Sequence, residues 1–407
     1  MIFQNTTILC SSLALITPFL EDCDLDDLDP IPVGEHDDDD DDDDDDDHDD
    51  KDDHDDKDDH DGNAPAYDLC VHPQGKMQCF YTIQAAVDAA KPGDVIRVFP
   101  GEYVEDVTIP KTVTLIGEGA GKCGPKRWFG GPDESTIDGL ITIQARNVVI
   151  DGFSLTNRED LTAAFGVIVR TAGSGAKIEN NIIQDITSGG TGVNGTAQAV
   201  YLENGPDDVS IFCNHIYAVT SPASAKGIFI GDSAATDASL DIEIRENQIN
   251  TITSANAGAY AILVNNGEET TVEILDNKIF DLTGGGWAHA IGLEGDTPWS
   301  VVQGNSISDV VDLGMPSDDS VAVFFEDNPS FSEVRVNWNN FEDVVYGIRI
   351  ADDLLPMGWP LDGTCNWWGA ADGPDEVGDG SGVRVSANVD FTPWLVSPDG
   401  PCTGGEK

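Results

Sequence analysis

The chain has 407 residues, with 76 Asp or Glu against 20 Lys or Arg and a formal net charge of −56. Proteins that neutralise phosphates or lie on anionic lipid need clustered basic side chains, and this sequence contains no such cluster. It also lacks a run of about 18 apolar residues that could span a bilayer. The composition therefore argues against nucleic acid, membrane surfaces and a transmembrane segment.

The first 22 residues contain a short apolar run, from residue 7 to residue 20. It resembles the apolar region of an export signal, although no Lys or Arg precedes it, as such signals usually require. We therefore expect residues 1–22 to be an export signal, with a wrongly assigned start or a disordered tail as the alternatives. A lipidated Cys23 fits less well, because the preceding Leu-Glu-Asp lacks the small residues that processing prefers.

Residues 23–66 form an Asp-rich segment. From Glu35 to Asp61 the chain is almost pure aspartate, with interruptions spaced three residues apart at His48, Lys51, His54, Lys57 and His60. Charge repulsion and the lack of apolar residues prevent a packed core, so we expect a disordered, solvated linker. Weak multivalent binding of Ca²⁺ or other cations is the alternative, because carboxylate oxygens suit hard cations.

The body of the chain is a repeat of about 31 residues. One asparagine recurs in a constant context, as in KIENNII, EIRENQI and EILDNKI. These anchor asparagines are Asn181, Asn214, Asn247, Asn277, Asn305, Asn339 and Asn366. Asparagine tolerates the left-handed backbone conformation and bonds within its own turn. The stacked copies are therefore predicted to share amide hydrogen bonds in a buried ladder.

A second apolar string lies between the anchors and predicts one strand in each repeat. It reads GVIV, AVYL, GIFI, AILV, AIGL, AVFF and GIRI, beginning at Gly166, Ala199, Gly227, Ala261, Ala290, Ala322 and Gly347. Each copy is rich in β-branched or aromatic residues and is bounded by Gly, Asn or Asp, as strands are. Units of several short strands, stacked about 4.8 Å apart, bury one continuous core. The sequence therefore predicts an all-β solenoid.

The repeat resembles that of right-handed parallel β-helix proteins of the pectate-lyase-like family. The segment Thr82–Tyr103 is similar to their usual opening, a capping helix followed by a Pro-Gly-Asp turn into the first strand. CNWWGAADGP and DFTPWL are similar to the closing coil of many secreted members. The resemblance implies a β-helix domain of about ten coils in residues 67–407. It has a cap helix at about 82–91, repeats to about 396, and a C-terminal cap.

Six cysteines lie in this domain, and four of them bracket its ends. Disulfides between Cys70 and Cys79, and between Cys365 and Cys402, would clamp the solenoid where it frays, which suits an oxidising compartment. Cys213 lies inside a repeat and is expected to be a small buried hydrophobic residue. No Cys or His spacing is typical of a zinc site.

Alternation along the second string predicts which side chains face outward. Its second and fourth positions are uniformly apolar and should point into the core. The third positions should then point outward, at Ile168, Tyr201, Phe229, Leu263, Gly292, Phe324 and Arg349. Exposed aromatic residues are unusual on a solvated face, so Tyr201, Phe229 and Phe324 are predicted to stack on sugar rings. Coverage of this column by long turns or by another subunit is the alternative.

Polar residues follow these strands and complete the predicted site. Asn265 and Asn266 would bind sugar hydroxyls. A calcium ion would be held by Glu203, Asp232, Glu294, Asp296, Glu326 and Asp327. Lyases and epimerases of the resembling family bind acidic sugars through Ca²⁺ and use Arg or Lys as the base. The resemblance therefore implies Arg349 as the base, Arg170 and Lys226 as further candidates, and His289 as an acid.

These features indicate a secreted or cell-surface protein, suited to a saline exterior. We expect it to bind an extracellular polysaccharide and, if it is an enzyme, to cleave or epimerise it with Ca²⁺. The Gly-His-Gly, Asn-Thr-Asp and Asp-Pro-His-Glu signatures of related enzymes are missing, so a non-catalytic adhesion solenoid is the main alternative. A periplasmic copper-accessory protein fits less well, with only four methionines. The negative charge makes a neutral glycan at least as suitable as an acidic one.

Overall fold

A computed structural model describes residues 66–127, 133–157, 162–189, 195–231, 238–266, 269–314, 319–351 and 359–405. All of them belong to one compact unit, Asn63–Lys407. The predicted export signal and almost all of the predicted Asp-rich linker lie outside the described residues. Within the described ranges, no helix has the length and apolar character needed to cross a membrane.

Three parallel sheets wind into a right-handed β-helix, and each coil of the repeat contributes one strand to sheet A, then B, then C. Sheet A contains Leu69–Val71, Val95–Val98, Thr114–Ile116, Val149–Asp151, Lys177–Glu179, Ser210–Phe212, Ile242–Arg245, Val272–Leu275, Val301–Gln303, Arg335–Asn337, Leu361–Asp362 and Val389–Asp390. Sheet B contains Gly101–Val104, Ser135–Asp138, Ser154–Asn157, Ile182–Thr187, His215–Ser221, Gln248–Ser254, Lys278–Gly284, Ser306–Ile307, Val310–Asp312 and Asn340–Phe341.

Sheet C carries the second apolar string of the repeat. It contains Val107–Ile109, Ile141–Ile143, Ala163–Arg170, Thr196–Glu203, Ser224–Gly231, Gly258–Asn266, Trp287–Gly295, Ser320–Glu326, Tyr346–Ile350, Asp375–Glu376 and Arg384–Val385. The strands Trp394–Leu395 and Cys402–Gly404 pair antiparallel near the C-terminus. Short 3₁₀ turns occupy Lys76–Gln78, Gly124–Lys126, Thr171–Gly173 and Phe331–Glu333. The parallel β-helix fold predicted from the sequence is confirmed.

The core consists of columns of stacked aliphatic side chains. All second and fourth positions of the second string are buried, including Val167, Val200, Ile228, Ile262 and Ile291. Burying one such side chain contributes roughly 1.5–3 kcal/mol, and each coil adds several. Because each coil contacts only its neighbours, the apolar pattern must recur in every repeat, and this is what the sequence shows.

The anchor asparagines form a hydrogen-bonded ladder in the two-residue turns between sheets A and B. The Nδ2 of Asn214 donates to Oδ1 of Asn247 at 3.0 Å, and the backbone N–H of Asn214 donates to the same oxygen at 2.8 Å. A second Nδ2 hydrogen reaches the Ile178 carbonyl of the preceding coil at 2.8 Å. The same pattern runs from Asn181 to Asn366, and all seven side chains are buried.

The left-handed residue of these turns is the one before the anchor asparagine, contrary to the expectation from the sequence. Asn180 has φ 58°, Glu246 has φ 55° and Asp276 has φ 55°, whereas no anchor asparagine has a positive φ. The side-chain amide therefore determines the residue type at the anchor position, because its hydrogen bonds have to span the distance between coils. The preceding residue only has to adopt the left-handed backbone conformation, so its type varies from coil to coil.

A short helix, Ile83–Ala89, covers the N-terminal end of the core with Ile83, Ala86 and Val87. The Thr82 side chain caps its first turn by accepting from the Ala85 N–H at 3.2 Å. Glu105 accepts from the Ile83 and Gln84 N–H groups at 2.8 and 3.0 Å. These contacts satisfy donors that a helix N-terminus leaves free. The helix lies within the predicted range and is slightly shorter.

Three disulfides link Cys70 with Cys79, Cys123 with Cys213, and Cys365 with Cys402. The first and third are the pairs that the sequence favours. Cys213 is buried, as expected, but it is disulfide-bonded and does not act simply as a small hydrophobic residue. Residues 117–127 leave the coil and run outside later ones, where the Gly124 N–H donates to the Cys213 carbonyl at 2.8 Å. A repeat pattern gives no information about such an excursion.

Candidate functional site

The outer face of sheet C carries the predicted aromatic column, but the column is not uniformly exposed. Tyr201 and Phe229 are half-buried, whereas Ile168 and Leu263 are buried although they point away from the core. Residues in register lie on consecutive coils, as Tyr201 and Phe229 do. The face is therefore more open at these two rings than at Ile168, on the coil before them, and Leu263, on the coil after them.

The open part of this face is a stack of three rings. The Tyr201 ring lies 5.1 Å from that of Phe229 and 5.9 Å from that of Phe165, and both pairs are nearly parallel. The Lys226 ammonium lies 5.0 Å from the centre of the Phe229 ring. We call the rings of Phe165, Tyr201 and Phe229 the ring platform. Two of its members were predicted. Because the rings stack on one another, the platform presents mainly ring edges, beside polar groups, on the outer face.

Phe324 does not belong to this platform, which corrects the prediction that it stacks on a sugar. Its side chain is only 7% exposed. The His289 ring lies 4.1 Å away, and the Arg349 guanidinium lies 5.9 Å from the centre of the Phe324 ring. With neighbours on both sides, this ring has no free face for a ligand.

His289 and Arg349 are joined through Asp319, so their predicted roles as acid and base are not supported. His289 is 3% exposed and its Nε2 lies 3.2 Å from Asp319 Oδ1. Arg349 donates to the same oxygen at 2.6 Å. Burial lowers the pKa of His289. The pKa of Asp319 is lowered because contacts with His289 and Arg349 outweigh the effect of burial.

Arg170 is also engaged, in an ion pair with Glu203 of the next coil. Lys226 differs from these arginines because it donates to the Ser224 hydroxyl at 2.8 Å and its ammonium lies over the Phe229 ring. Burial lowers the pKa of Lys226 to about 8, although the charge of Glu294 acts in the opposite direction. Of the cations predicted as a base, Lys226 is the one whose chemistry fits that role best.

A cleft of about 430 Å³ opens where three consecutive sheet C strands end. It gathers six of the predicted site residues. Its lining is Asn265, Asn266, Glu294, Gly295, Asp296, Glu326, Asp327 and Pro329. Asn265, Glu294 and Glu326 are in register on neighbouring strands, so their side chains share the outer face. The sequence could place them together because equivalent ends of stacked strands lie side by side.

Glu294 is the most constrained carboxyl group of the cleft. It is 9% exposed, and its two oxygens accept hydrogen bonds from the Tyr260 hydroxyl at 3.0 Å and from Asn265 Nδ2 at 2.8 Å. Trp287 Nε1 in turn donates to the Tyr260 hydroxyl at 2.6 Å. The pKa of Glu294 is raised, chiefly by burial and further by the charge of Glu326. This side chain is therefore suited to holding a proton.

Sequence reasoning missed Tyr260 and Trp287. Both side chains point outward. They lie in the first part of their sheet C strands, before the small residue that begins the second string in each coil. The strand register skips this small residue, pairing Lys226 with Tyr260 and then Ile228 with Ile262. The inward and outward alternation of the second string therefore cannot be extended to the residues that precede it. Gly292 makes room for the phenol, because a Cβ at this position would lie 3.1 Å from the Tyr260 ring.

Asn266 carries a buried hydrogen-bond acceptor that lacks a donor. This residue lines the cleft, and its side chain, which is 1% exposed, donates from Nδ2 to the Thr270 hydroxyl at 3.0 Å. Its Oδ1 has no hydrogen-bond partner among the described residues. Leaving such a group unsatisfied costs about 1–3 kcal/mol. A ligand that donates a hydrogen bond in the cleft would remove this cost.

The predicted calcium site stays a prediction of the sequence. Asp232 lies outside the described residues. Within the described part of the chain, no three Asp, Glu, His or Cys side chains are grouped closely enough to hold a metal ion. The donor set also fits a cation poorly, because Glu294 is buried with a raised pKa and Asp296 accepts from the Ser330 hydroxyl at 2.5 Å. We therefore assign no chemical step to calcium.

Comparison with solved structures finds several pectin methylesterases. One is a mutant enzyme in complex with a hexasaccharide, at 13% identity and a TM-score of 0.42, covering 74% of this chain and 93% of the other. The deglycosylated enzyme from Aspergillus niger has 16% identity, a TM-score of 0.33 and the same coverage. The carrot enzyme has 13% identity and a TM-score of 0.33, covering 71% and 84%. At this level of similarity, activity must be argued from the cleft itself.

Sequence comparisons give a family but no characterised relative. No curated protein matches the chain significantly. The model of the family described as "Protein of unknown function (DUF1565)" matches residues 72–321, more than half of the chain.

Proposed function

The chain belongs to the DUF1565 family of parallel β-helix proteins, and we propose that it binds an extracellular polysaccharide along the outer face of sheet C. The ring platform supplies apolar ring edges for the faces of sugar rings, and the cleft supplies acceptors for their hydroxyl groups. Both lie on the same sheet and belong to coils that follow one another. An extended chain of sugars could contact them together.

The observation that carries this proposal is the unpaired Oδ1 of Asn266. Carboxylates and amides line the cleft around it, and these groups accept hydrogen bonds from hydroxyls. Sites built from a few polar groups beside apolar surface are typical of small-ligand and sugar recognition. A sugar carries several hydroxyl groups and can donate hydrogen bonds to several of these acceptors at once, whereas one water molecule can donate to only a few.

A neutral polysaccharide fits this surface better than an acidic one. The described lining of the cleft contains four carboxylates and no Lys or Arg. Residues 62–407 carry 49 Asp or Glu against 18 Lys or Arg, so an acidic polymer would be repelled at low ionic strength. The three disulfides support an extracellular location for the protein.

Affinity electrophoresis in gels containing laminarin, xylan, galactomannan, alginate, pectate or chondroitin tests the proposal. We expect retardation by at least one neutral polymer. Tyr201→Ala and Phe229→Ala should reduce it with little change in thermal stability. Phe212→Ala is the matched control, since Phe212 is half-buried on sheet A beneath Arg245. The absence of retardation by any polymer, or equal losses in all three variants, would contradict the proposal.

Elimination on an acidic sugar is a second candidate, favoured by Lys226. A half-buried lysine with a pKa of about 8 is partly neutral near that pH and can accept a proton. Incubation with alginate, pectate or chondroitin, with and without Ca²⁺, would then yield unsaturated ends that absorb ultraviolet light. No increase in absorbance with any of the three polymers would eliminate this candidate.

A further inference from the structure

We propose that the cleft hydrolyses glycosidic bonds of the bound polysaccharide, with Glu294 as the proton donor and Glu326 as the nucleophile. This inference rests on the proposed function, because it requires a polysaccharide at the same cleft. It goes beyond binding by assigning a reaction and two residue roles. The arguments are the placement of the two carboxyl groups, the difference between their surroundings, and the unpaired acceptor beside them.

The two glutamates are placed as a pair. They are in register on the adjacent strands Trp287–Gly295 and Ser320–Glu326, and both line the cleft. Neighbouring strands are about 4.8 Å apart, so side chains in register on one face start at that separation. Glycosidases that form a covalent intermediate hold their two carboxyl groups about 5–5.5 Å apart, whereas those using water directly need roughly 6.5–9.5 Å. The side chains therefore start near the spacing of the covalent, retaining route, and this is the route that we propose.

The surroundings of the two glutamates differ in the way that such chemistry requires. Glu294 is buried and is held by Tyr260 and Asn265, and burial raises its pKa, which favours its protonated form. Glu326 is exposed at the end of its strand. A buried carboxyl group beside an exposed one is an arrangement that suits an acid and a nucleophile.

The reaction balances with water as the only further reactant. The Glu294 proton passes to the glycosidic oxygen while a Glu326 oxygen bonds to the anomeric carbon, and the bond from that carbon to the leaving sugar breaks. Glu294 then takes a proton from water, whose oxygen displaces Glu326 from the anomeric carbon. The products are two shorter sugar chains. Glu294 is protonated again, and Glu326 is released from the anomeric carbon. The Asn266 Oδ1 would accept from a sugar hydroxyl and hold the ring in place.

Full-length Glu294→Gln and Glu326→Gln variants test the assignment on the neutral polymers that retard the wild type. We expect wild-type protein to release reducing ends, and each variant to be slower by at least about 100-fold while still being retarded. Glu273→Gln, on the exposed face of sheet A, is the matched control and should keep full activity. Retardation without release of reducing ends would overturn hydrolysis and leave binding intact. Absence of retardation would overturn both.

A substrate with a good leaving group separates the two roles. Dinitrophenyl glycosides of the sugars in the retarding polymer need little protonation to depart. We therefore expect Glu294→Gln to recover the first step, seen as a rapid burst of dinitrophenol, while its turnover stays slow because the second step still needs Glu294 as the base, and we expect Glu326→Gln to show no recovery. Recovery by both variants, by neither, or by Glu326→Gln alone would contradict the assignment, as would a first product with inverted anomeric configuration.

Discussion

The anchor asparagines show how far single residues could be predicted from the sequence. All seven positions follow from the repeat, because a buried amide must recur wherever coils stack. The site residues were harder to predict, since the burial of Phe324 and His289 depends on neighbours from adjacent coils. The strand pattern gives only the direction of a side chain, and its exposure depends on what packs against it.

Removing one amide from the middle of the ladder should weaken the whole coil. Asn277 Oδ1 accepts from both the backbone N–H and the Nδ2 of Asn247, at 2.9 and 3.0 Å. Asn277→Ala leaves both buried donors unpaired, so we expect the free energy of unfolding to fall by about 3 kcal/mol. Urea unfolding measures this, with the half-buried, outward Asn250→Ala as the control. Equal losses in the two variants would contradict the role of the ladder.

Lys226 should make stability depend on pH in alkaline solution. Burial lowers its pKa from 10.5 to about 8, so between these values the unfolded chain binds more protons than the folded one. Its contribution to the free energy of unfolding should therefore rise as pH increases from about 8 to about 10.5. We expect the wild type to gain stability over Lys226→Met across this range, measured by urea unfolding. A constant or decreasing difference would mean that Lys226 is not buried in this way.

At the scale of elements, the strands of the repeat were predictable and their irregularities were not. The second string predicted the strands of sheet C, because its inward positions are apolar in every coil. The skipped small residue hid the Tyr260 and Trp287 columns, since sequence alternation assumes an even strand. The cleft could be anticipated from strand ends, whereas the hydrogen bonds around Glu294 needed the position of Tyr260.

The cap helix protects the first edge of the sheets. Its buried face contacts Leu69–Val71, Val95–Val98 and Val107–Ile109. Val87→Asp would place a charge against the core and detach the helix, and an uncovered edge invites pairing with other chains. We expect this variant to form oligomers, seen by size-exclusion chromatography with light scattering. The exposed Asp88→Asn on the same helix should stay like the wild type, and a monomeric Val87→Asp of unchanged thermal stability would contradict the capping role.

The charge of the whole molecule divides between two regions. Residues 1–61 contain 27 Asp or Glu and two lysines, and the remaining chain has a net charge of −31.

The large-scale fold could be predicted because it repeats, whereas the Cys123–Cys213 bridge could not, because it joins a single excursion to a distant coil. Repetition therefore determined which parts of the whole molecule were predictable.

Salt should stabilise the protein by screening its negative charges from one another. We expect the Tm to rise between low and molar NaCl. NaCl is the appropriate salt, since sulfate strengthens apolar burial in any protein. The neutral osmolyte sucrose should not abolish the difference between low and high NaCl. A Tm that fell or stayed constant with NaCl, measured by calorimetry, would show that self-repulsion is unimportant.

The central claim is that the sheet C cleft binds a neutral polysaccharide, with the unpaired Oδ1 of Asn266 as one of its acceptors. The most direct test replaces Asn266 by Ala and measures both binding and stability. Binding of the retarding polymer should weaken about tenfold, since a hydrogen bond worth roughly 1.4 kcal/mol is lost. The free energy of unfolding should change by less than about 1 kcal/mol, because an unpaired buried oxygen is removed together with the Thr270 contact. Unchanged binding combined with a large loss of stability would contradict the account.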